Sequence, residues 1–339
     1  MSRKLGGEGV QLPISTIGTE SERLREMVSS VRAGLQAREK HLSPKYLYDA
    51  RGSELFHEIT RLEEYYPTRA ETTLLEQYAG ELVKACAPEE IVELGAGSSL
   101  KNQHLLEALH GIGGCIYAPI DVSEDALRVT ASHLQTLYPW LKFRGFVGDF
   151  EKDLLRIPRH GRRLVYFLGS TIGNMEGTRR IEFLRGVRAM LNEDEAFLMG
   201  VDLVKPTERM ERAYNDAAGV TARFNKNVLV VLNRELDGDI PLDLFDHHAF
   251  YNRTEERIEM HLVAREACSF RLARARLEVG FEAGESLRTE VSCKFHRTKV
   301  ESQLAQADML LERWIEAPNG DFGLVLARPA PTAQSTTRS

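Results

Sequence analysis

The middle of the chain alternates between short apolar runs and stretches whose apolar residues recur at helical spacing. Strands alternating with helices favour βαβ units and a parallel, doubly wound sheet, which is an α/β fold. In such sheets ligands bind outside the carboxyl ends of the strands, where the strand order reverses. The predicted strands are 91–94, 115–120, 141–147, 163–168 and 196–201, and the predicted helices are 103–110, 124–138 and 179–191.

The flanking regions have a different pattern. Helical spacing predicts helices at 21–35, 54–62 and 71–86 before the alternating region. From residue 205 onward we expect a helix at 209–225, a polar loop at 239–248, strands at 257–263, 270–277 and 285–295, and a helix at 297–308. Strands 309–316 and 322–327 suit an antiparallel hairpin at a sheet edge. Residues 1–16 and 330–339 are expected to be disordered tails.

Charge and composition exclude several classes of protein. A net charge of −6 gives no electrostatic footprint for nucleic acid or an anionic membrane, so neither partner is expected. The four cysteines are scattered without a C-x-x-C, and no H-E-x-x-H occurs, so we expect neither a disulfide framework nor a metal site. No apolar run approaches the ~20 residues that span a bilayer. We expect a cytoplasmic protein.

A two-glycine turn, Gly95-Ala96-Gly97, follows the first strand of the alternating region. Glycine allows the backbone to approach a nucleotide closely, and the helix that follows presents free N–H groups. The dinucleotide pattern G-x-G-x-x-G is incomplete, because Leu100 stands in place of the third glycine. The pattern favours a nucleoside ligand over a dinucleotide, with a purely structural turn as the alternative.

Carboxylates follow the next two predicted strands. Asp121 lies 26 residues after Gly95, where its carboxylate could accept both hydroxyls of a ribose; the alternative is a helix cap at the start of the next helix. Asp149 and Phe150 follow the third strand and offer an acceptor for an exocyclic amine and a ring for a purine. A nucleoside site without a pyrophosphate binder favours S-adenosylmethionine (SAM) over NAD or FAD.

An aromatic cluster precedes the alternating region. It consists of Tyr46, Tyr48, Phe56, Tyr65 and Tyr66. Aromatic walls with hydroxyl tips suit small-molecule pockets, so the cluster could cap a ligand. The alternative is a satellite hydrophobic core beneath a loop.

Four longer stretches resemble the histidine Nα-methyltransferase family of ergothioneine biosynthesis. They are Tyr65-Tyr66-Pro67-Thr68-Arg69, residues 168–174 (LGSTIGN), residues 213–221 (AYNDAAGVT) with Phe224-Asn225, and residues 289–295 (TEVSCKF). The resemblance implies a Rossmann-type class I methyltransferase sheet with a C-terminal antiparallel hairpin, formed by 70–202 and 295–329. It also implies a second α+β substrate-binding domain, formed by 17–69 and 203–294.

The resemblance also assigns the ligands and the cofactor residues. SAM would donate methyl groups to the α-amine of L-histidine in three rounds, which gives the trimethyl betaine hercynine. Gly95 and Lys101 would lie at the methionine end of SAM, Asp121 at its ribose, and Asp149 with Phe150 at its adenine.

The same resemblance places the substrate. Asn174 and Tyr214 would hold the α-carboxylate, and Glu290 and Ser292 the imidazole, since residues i and i+2 of a strand share a face. Tyr65 would lie beside the amine, which makes Tyr65, Asn174 and Tyr214 the catalytic set.

The remaining assignments complete the pocket. Met260 would form its wall, Tyr48 and Phe56 its lid, and Tyr66 is the alternative neighbour of the amine. A cross-strand polar contact is the alternative for Glu290 and Ser292.

Other activities stay open at this point. Some fungal members of the family act on tryptophan-derived substrates, so another amino acid is one alternative, although Glu290 with Ser292 favours histidine. A protein that binds a nucleoside or a partner without catalysis is another. We expect a monomer.

Overall fold

The computed structural model describes residues 13–96, 103–113 and 115–331. Its strands are β1 (Ile14–Thr16), β2 (Glu90–Leu94), β3 (Ile116–Asp121), β4 (Lys142–Phe143), β5 (Gly145–Val147), β6 (Arg163–Phe167), β7 (Ala196–Asp202), β8 (Phe245–Asn252), β9 (Arg257–Ala264), β10 (Cys268–Leu272), β11 (Leu277–Phe281), β12 (Ser286–Cys293), β13 (Met309–Glu316) and β14 (Phe322–Pro329). Its α-helices are α1 (Glu20–Gln36), α2 (Ala50–Ile59), α3 (Tyr66–Cys86), α4 (Gln103–His110), α5 (Glu124–Leu137), α6 (Gly177–Met190), α7 (Thr207–Arg212), α8 (Val220–Leu236) and α9 (Arg297–Ala305).

The larger sheet has the order β1-β5-β3-β2-β6-β7-β14-β13, with β4 also paired to β3. Its pairs from β1 to β7 are parallel, whereas β14 runs antiparallel to both β7 and β13. From β2 the chain moves outward to β3 and β5, then crosses back to β6. This reversal makes a crevice at the carboxyl ends of β2 and β6. The expected Rossmann-type sheet with a C-terminal antiparallel hairpin is confirmed.

Apolar side chains on both faces of this sheet are buried, as in parallel sheets covered by helices. Along β2, Ile91 packs into a core with α3 and α4, and its neighbour Val92 packs into the opposite core with α6 and α9. A further core joins α1 and α2 to α8 and to the strands from β8 to β12. The division into two domains at 17–69 with 203–294 and 70–202 with 295–329 stays a prediction.

A three-stranded sheet has the order β12-β9-β8 and is antiparallel throughout, and β10 and β11 form a separate antiparallel pair. The register of β12 with β9 shifts between Arg288, which pairs with His261, and Glu290, which pairs with Met260. Thr289 is therefore the extra residue of a β-bulge, and its hydroxyl donates to the carbonyl of Met260 at 3.1 Å. The bulge turns Arg288 and Glu290 to opposite faces of the sheet, although they are two residues apart.

Some predicted elements were wrong. The helix predicted at 209–225 is two helices, because the Asp216 carboxylate accepts the N–H groups of Val220 and Thr221 at 2.8 Å and starts α8 anew. Gly219, with a φ of +66°, makes the turn between them. Tyr214 consequently lies in a turn between two helices instead of on a helix.

Three further predictions need correction. The polar loop predicted at 239–248 includes the first residues of β8, whose edge position tolerates polar side chains. The strand predicted at 270–277 is the turn between β10 and β11 and parts of both strands. Residues 14–16, expected within a disordered tail, form β1 by pairing with β5.

Within the described ranges, none of the helices has the length and apolar character needed to cross a membrane.

Candidate active site

A cavity of about 670 Å³ runs from the carboxyl ends of the large-sheet strands to the inner face of the β12-β9-β8 sheet. This volume lies within the roughly 300–1,000 Å³ of ordinary ligand pockets. Lys101 lies outside the described residues. The other predicted site residues all line the cavity: Tyr48, Phe56, Tyr65, Gly95, Asp121, Asp149, Phe150, Asn174, Tyr214, Met260, Glu290 and Ser292.

Gly95 ends the strand β2 and turns the chain with a φ of +79°, a conformation that favours glycine. A Cβ atom at this position would lie 3.6 Å from Cε1 of Phe150. The absence of a side chain therefore keeps this part of the cavity open next to the Phe150 ring.

Asp121 bridges the glycine turn and the start of α5. Its Oδ2 accepts the backbone N–H of Ala96 at 2.9 Å, and its Oδ1 accepts that of Ser123 at 2.8 Å. Ser123 is the N-cap of α5, because its hydroxyl accepts the N–H of Ala126 at 3.2 Å. Ser123, and not Asp121, is therefore the residue that caps α5, and the Asp121 carboxylate lies at the cavity wall.

Asp149 forms an ion pair with Lys45, whose Nζ lies 2.8 Å from Oδ2. Burial acts to raise the pKa of Asp149, but Lys45, the backbone N–H of Glu151 and the charge of Lys152 outweigh it and hold that pKa below its ordinary value. The side chain is thus an ionised acceptor. Phe150 packs edge-on against Phe167 with ring centroids 5.1 Å apart, so its ring position is fixed.

Three members of the predicted aromatic cluster line the cavity. Tyr48 and Phe56 pack edge-to-face with centroids 5.5 Å apart, and Phe56 packs against Tyr65 at 6.1 Å. Phe224 on α8 joins them, 5.4 Å from Tyr48. Tyr46 and Tyr66 are buried but do not line the cavity, so the cluster is both a pocket wall and part of a core.

Tyr66 does not line the cavity, and its hydroxyl lies in a charged cluster. Its hydroxyl lies 2.9 Å from Oδ2 of Asp202 and 2.9 Å from Nζ of Lys205. Tyr65, in contrast, lines the cavity and packs edge-on against Tyr214. Of the two tyrosines, Tyr65 is the one with access to a ligand.

The predicted carboxylate-binding and imidazole-binding residues contact each other directly. Asn174 Nδ2 donates to Glu290 Oε1 at 2.9 Å, and Met260 stands directly opposite Glu290 on β9. Tyr214 and Ser292 are joined by a hydrogen bond of 2.8 Å between their hydroxyls. The structure therefore brings together four residues that are separated by up to 118 positions in the sequence.

Burial changes the protonation of this end of the cavity. It raises the pKa of Glu290 to about 7, although the nearby Lys294 ammonium and the Asn174 amide favour the ionised form. Burial, together with nearby acidic groups, raises the pKa of Tyr65 and Tyr214 well above the ordinary value. Both tyrosines are therefore neutral hydroxyls at neutral pH.

Asn174 owes its position to a residue that sequence reasoning did not identify. Glu71 on α3 is fully buried, and its Oε1 accepts the N–H of Gly169 at 2.7 Å. Gly169 and Ser170 both have positive φ values, and the 3₁₀ turn Thr171–Asn174 follows at once. Asp202, at the end of β7, also lines the cavity. Its buried partners Lys205 and Lys294 were missed, although residue 294 lies inside one of the signature stretches.

The two ends of the cavity have different chemical capacities. The end at Gly95, Asp121, Asp149 and Phe150 combines an open turn, two acceptors and an aromatic ring, which fit the methionine, ribose and adenine parts of SAM. The other end offers donors and the acidic side chains of Glu290 and Asp202 among aromatic walls. No group of His, Cys, Asp or Glu in residues 13–96, 103–113 and 115–331 could hold a metal ion.

Comparison with known proteins identifies the family. The family model "Histidine-specific methyltransferase, SAM-dependent" matches residues 27–329. The histidine N-alpha-methyltransferase of Mycolicibacterium smegmatis is 49% identical over 298 residues, which are 88% of this chain and 93% of that protein.

Two fungal relatives are more distant. Ergothioneine biosynthesis protein 1 of Neurospora crassa is 32% identical over 241 residues, 65% of this chain and 27% of that protein. The 4-dimethylallyltryptophan N-methyltransferase easF of Claviceps fusiformis is 27% identical over 257 residues, 68% of this chain and 72% of that protein. The family match and the mycobacterial relative agree with the resemblance seen in the sequence, and the chain belongs to the family of histidine-specific, SAM-dependent methyltransferases.

Proposed function

We propose that the protein transfers methyl groups from SAM to the α-amino nitrogen of L-histidine and, after three rounds, releases hercynine, in the first step of ergothioneine biosynthesis. The observation that carries the proposal is the joint position of Glu290 and Ser292 on β12, both facing the cavity beside Asn174 and Tyr214. This set offers partners for a carboxylate and for both nitrogens of an imidazole.

The substrate end would recognise histidine by hydrogen bonds. Asn174 and Tyr214 donate to the α-carboxylate, and in doing so they exchange the bonds that they make to Glu290 and Ser292. Glu290 then accepts the imidazole N–H, and Ser292 serves the other nitrogen. A pocket built on hydrogen bonds rejects a ring that leaves them unmade, which favours histidine over an apolar side chain of similar size.

Bound SAM supplies a methyl group on a positively charged sulfur. The α-amine must be uncharged to have a lone pair for the attack. Tyr65 is a neutral phenol at neutral pH, so its role is to orient the amine by a hydrogen bond and not to remove the proton as a phenolate. Water carries the proton away. The walls of Tyr48, Phe56 and Phe224 limit solvent and accommodate the cationic product by cation–π attraction of about 0.5–2 kcal/mol.

The direct test is mass spectrometry of L-histidine incubated with the protein and SAM. We expect three successive additions of a methyl group and fragmentation that assigns all three to the α-nitrogen. The same assay on tryptophan and the other amino acids tests the alternative substrates. Methylation of another amino acid in preference to histidine would contradict the proposed substrate. An absence of transfer to all amino acids, in protein that binds SAM, would favour the non-catalytic alternative.

A further inference from the structure

Lys294 lies behind the substrate end of the cavity and does not line it. Its side chain is fully buried at the end of β12, two residues after Ser292 on the same face of the strand. Its Nζ lies 2.8 Å from Oδ2 of Asp202, 2.9 Å from Oγ of Ser292 and 3.4 Å from the hydroxyl of Tyr214. An ammonium has three N–H donors and no acceptor, so all three donors are used.

These contacts determine what the two hydroxyls can do. Ser292 and Tyr214 each carry one proton, and one of the two protons lies in the 2.8 Å bond between them. Lys294 donates to both oxygens, so its N–H groups take up acceptor capacity on each. When Tyr214 turns its proton from Ser292 to the α-carboxylate of the substrate, Ser292 keeps its own proton for the ring. The pair therefore faces the substrate as a hydrogen-bond donor.

We propose that Lys294 is a positioning residue that fixes the Ser292–Tyr214 hydroxyl pair as a donor, and thereby selects substrates whose ring has an acceptor nitrogen as well as an N–H. This inference rests on the proposed function and extends it to the tautomer of the substrate. Glu290, two residues before Ser292, is the matching acceptor. One donor and one acceptor side by side fit a neutral imidazole, which has one nitrogen of each kind.

A second lysine provides an internal comparison. Lys205 also forms an ion pair with Asp202 and is almost as deeply buried, but it bonds to Tyr66 and the carbonyl of Leu203 instead of Ser292. If Lys294 only balanced the charge of Asp202, removing either lysine would have the same consequence. If Lys294 sets the polarity of the hydroxyl pair, only its own removal changes which ring is preferred.

The experiment measures two ligands on protein saturated with S-adenosylhomocysteine. L-histidine is compared with L-β-(2-thienyl)alanine, which has a ring of similar size without either nitrogen, by titration calorimetry. For Lys294→Met we expect histidine binding to weaken at least about 10-fold and thienylalanine binding to change less than about 3-fold. Lys205→Met should change the affinities for both ligands by the same factor.

A variant pair tests whether Lys294 acts through Ser292. Ser292→Ala should weaken histidine binding by a similar factor. The Ser292→Ala/Lys294→Met double variant should bind histidine no more weakly than the more impaired of the two single variants. Parallel losses for both ligands in Lys294→Met, or a changed preference in Lys205→Met, would overturn the inference.

The controls separate this inference from the proposed function. Wild-type protein that fails to bind and methylate histidine overturns the proposed function and this inference with it. Wild-type protein that methylates histidine, with an unchanged preference in Lys294→Met, overturns the inference alone. Asp202 keeps Lys205 and Tyr66 in Lys294→Met, so we expect that variant to fold. If it does not bind S-adenosylhomocysteine, Lys294→Leu, which also removes the N–H donors, is judged by the same criterion.

Discussion

The two ends of the cavity are built in different ways. At the end assigned to SAM, the polar side chains are held mainly by nearby backbone: Asp121 accepts the N–H groups of Ala96 and Ser123, and Asp149 accepts that of Glu151. At the substrate end the side chains are held by one another, as in the Asn174–Glu290 pair. With the ligands placed as proposed, the first arrangement would leave its side chains in position, whereas the second would exchange internal hydrogen bonds for bonds to the substrate.

This difference has an energetic consequence. A hydrogen bond between two protein groups that is exchanged for one to a ligand contributes little net affinity, but the loss of one partner leaves the other buried and unpaired. We therefore expect substitutions at the substrate end to change selectivity strongly. Substitutions at the SAM end should weaken SAM binding by the free energy of one or two hydrogen bonds.

The largest effect is expected for Glu290→Ala. The change removes the acidic acceptor that the Asn174 amide contacts and leaves that amide without its partner. We expect kcat/KM for histidine to fall by a factor that corresponds to roughly 2–5 kcal/mol of lost transition-state binding, with the Kd for SAM unchanged. Steady-state kinetics and calorimetry check the two values. Glu285→Ala, which removes a partly exposed carboxylate just before β12, is the control and should leave both unchanged. Equal effects on SAM and on histidine would mean that the two ends are not separate.

Glu290→Gln should stabilise the ligand-free protein at high pH. Burial raises the pKa of Glu290 from 4.5 to about 7, so the folded state binds a proton more readily than the unfolded state. Wild-type stability should consequently fall as pH rises from about 4.5 to 7, by roughly 3 kcal/mol in total. Glutamine stays neutral and avoids this loss. Urea unfolding at pH 5 and pH 8 should give an advantage for the variant that grows with pH; an advantage that is the same at both values would contradict the buried carboxylate.

Asp121→Ala tests the SAM end. The change removes an acceptor at the cavity wall and frees the N–H groups of Ala96 and Ser123. We expect SAM binding by calorimetry to weaken by about 1–3 kcal/mol, with the preference for histidine over other amino acids retained. Glu124→Ala, at an exposed position on the first turn of α5, should leave SAM affinity unchanged. An unaltered Kd in Asp121→Ala would remove this residue from the ribose role.

The smallest effect is expected where the two ends communicate. Lys45 lies in the 3₁₀ turn just before Tyr48 and forms its ion pair with Asp149, so it connects the aromatic lid with the adenine end. We expect this contact to make each ligand, histidine or S-adenosylhomocysteine, strengthen the binding of the other, and Lys45→Met should reduce that coupling by about 1 kcal/mol or less. Titrations of each ligand with and without the other measure this coupling. Lys152→Met, which changes an exposed lysine near the same end, is the control and should leave the coupling unchanged. If the coupling is also unchanged in Lys45→Met, contacts other than the Lys45–Asp149 pair must connect the two ends.

The sequence was informative about the SAM end for a physical reason. Gly95, Asp121 and Asp149 each follow a buried strand, and parallel strands bring their carboxyl ends to the same edge, so order along the chain predicts proximity. The alternation of apolar runs also predicted the large sheet and its hairpin. The break before α8 was missed because a single carboxylate, Asp216, and one glycine outweigh the apolar periodicity on either side.

The substrate end could be predicted only through the resemblance to a family. Tyr214, Ser292 and Asn174 come from segments that local patterns do not connect, and the buried charges behind them depend on contacts such as Lys294 with Asp202, 92 positions apart. A buried lysine looks like any surface lysine in a sequence. The strand-end position of Asp202 was visible, but its two lysine partners were not.

The bulge at Thr289 means that chain length is as important as residue identity in this part of the molecule. One residue more in β9, opposite Thr289, would restore regular alternation and place Arg288 on the same face as Glu290, so that the two side chains would compete for the pocket. A single-codon insertion in β9 could thus place a positive charge beside Glu290 in one step. Homologues that differ in length between β9 and the end of β12 are accordingly the first in which to look for a different substrate.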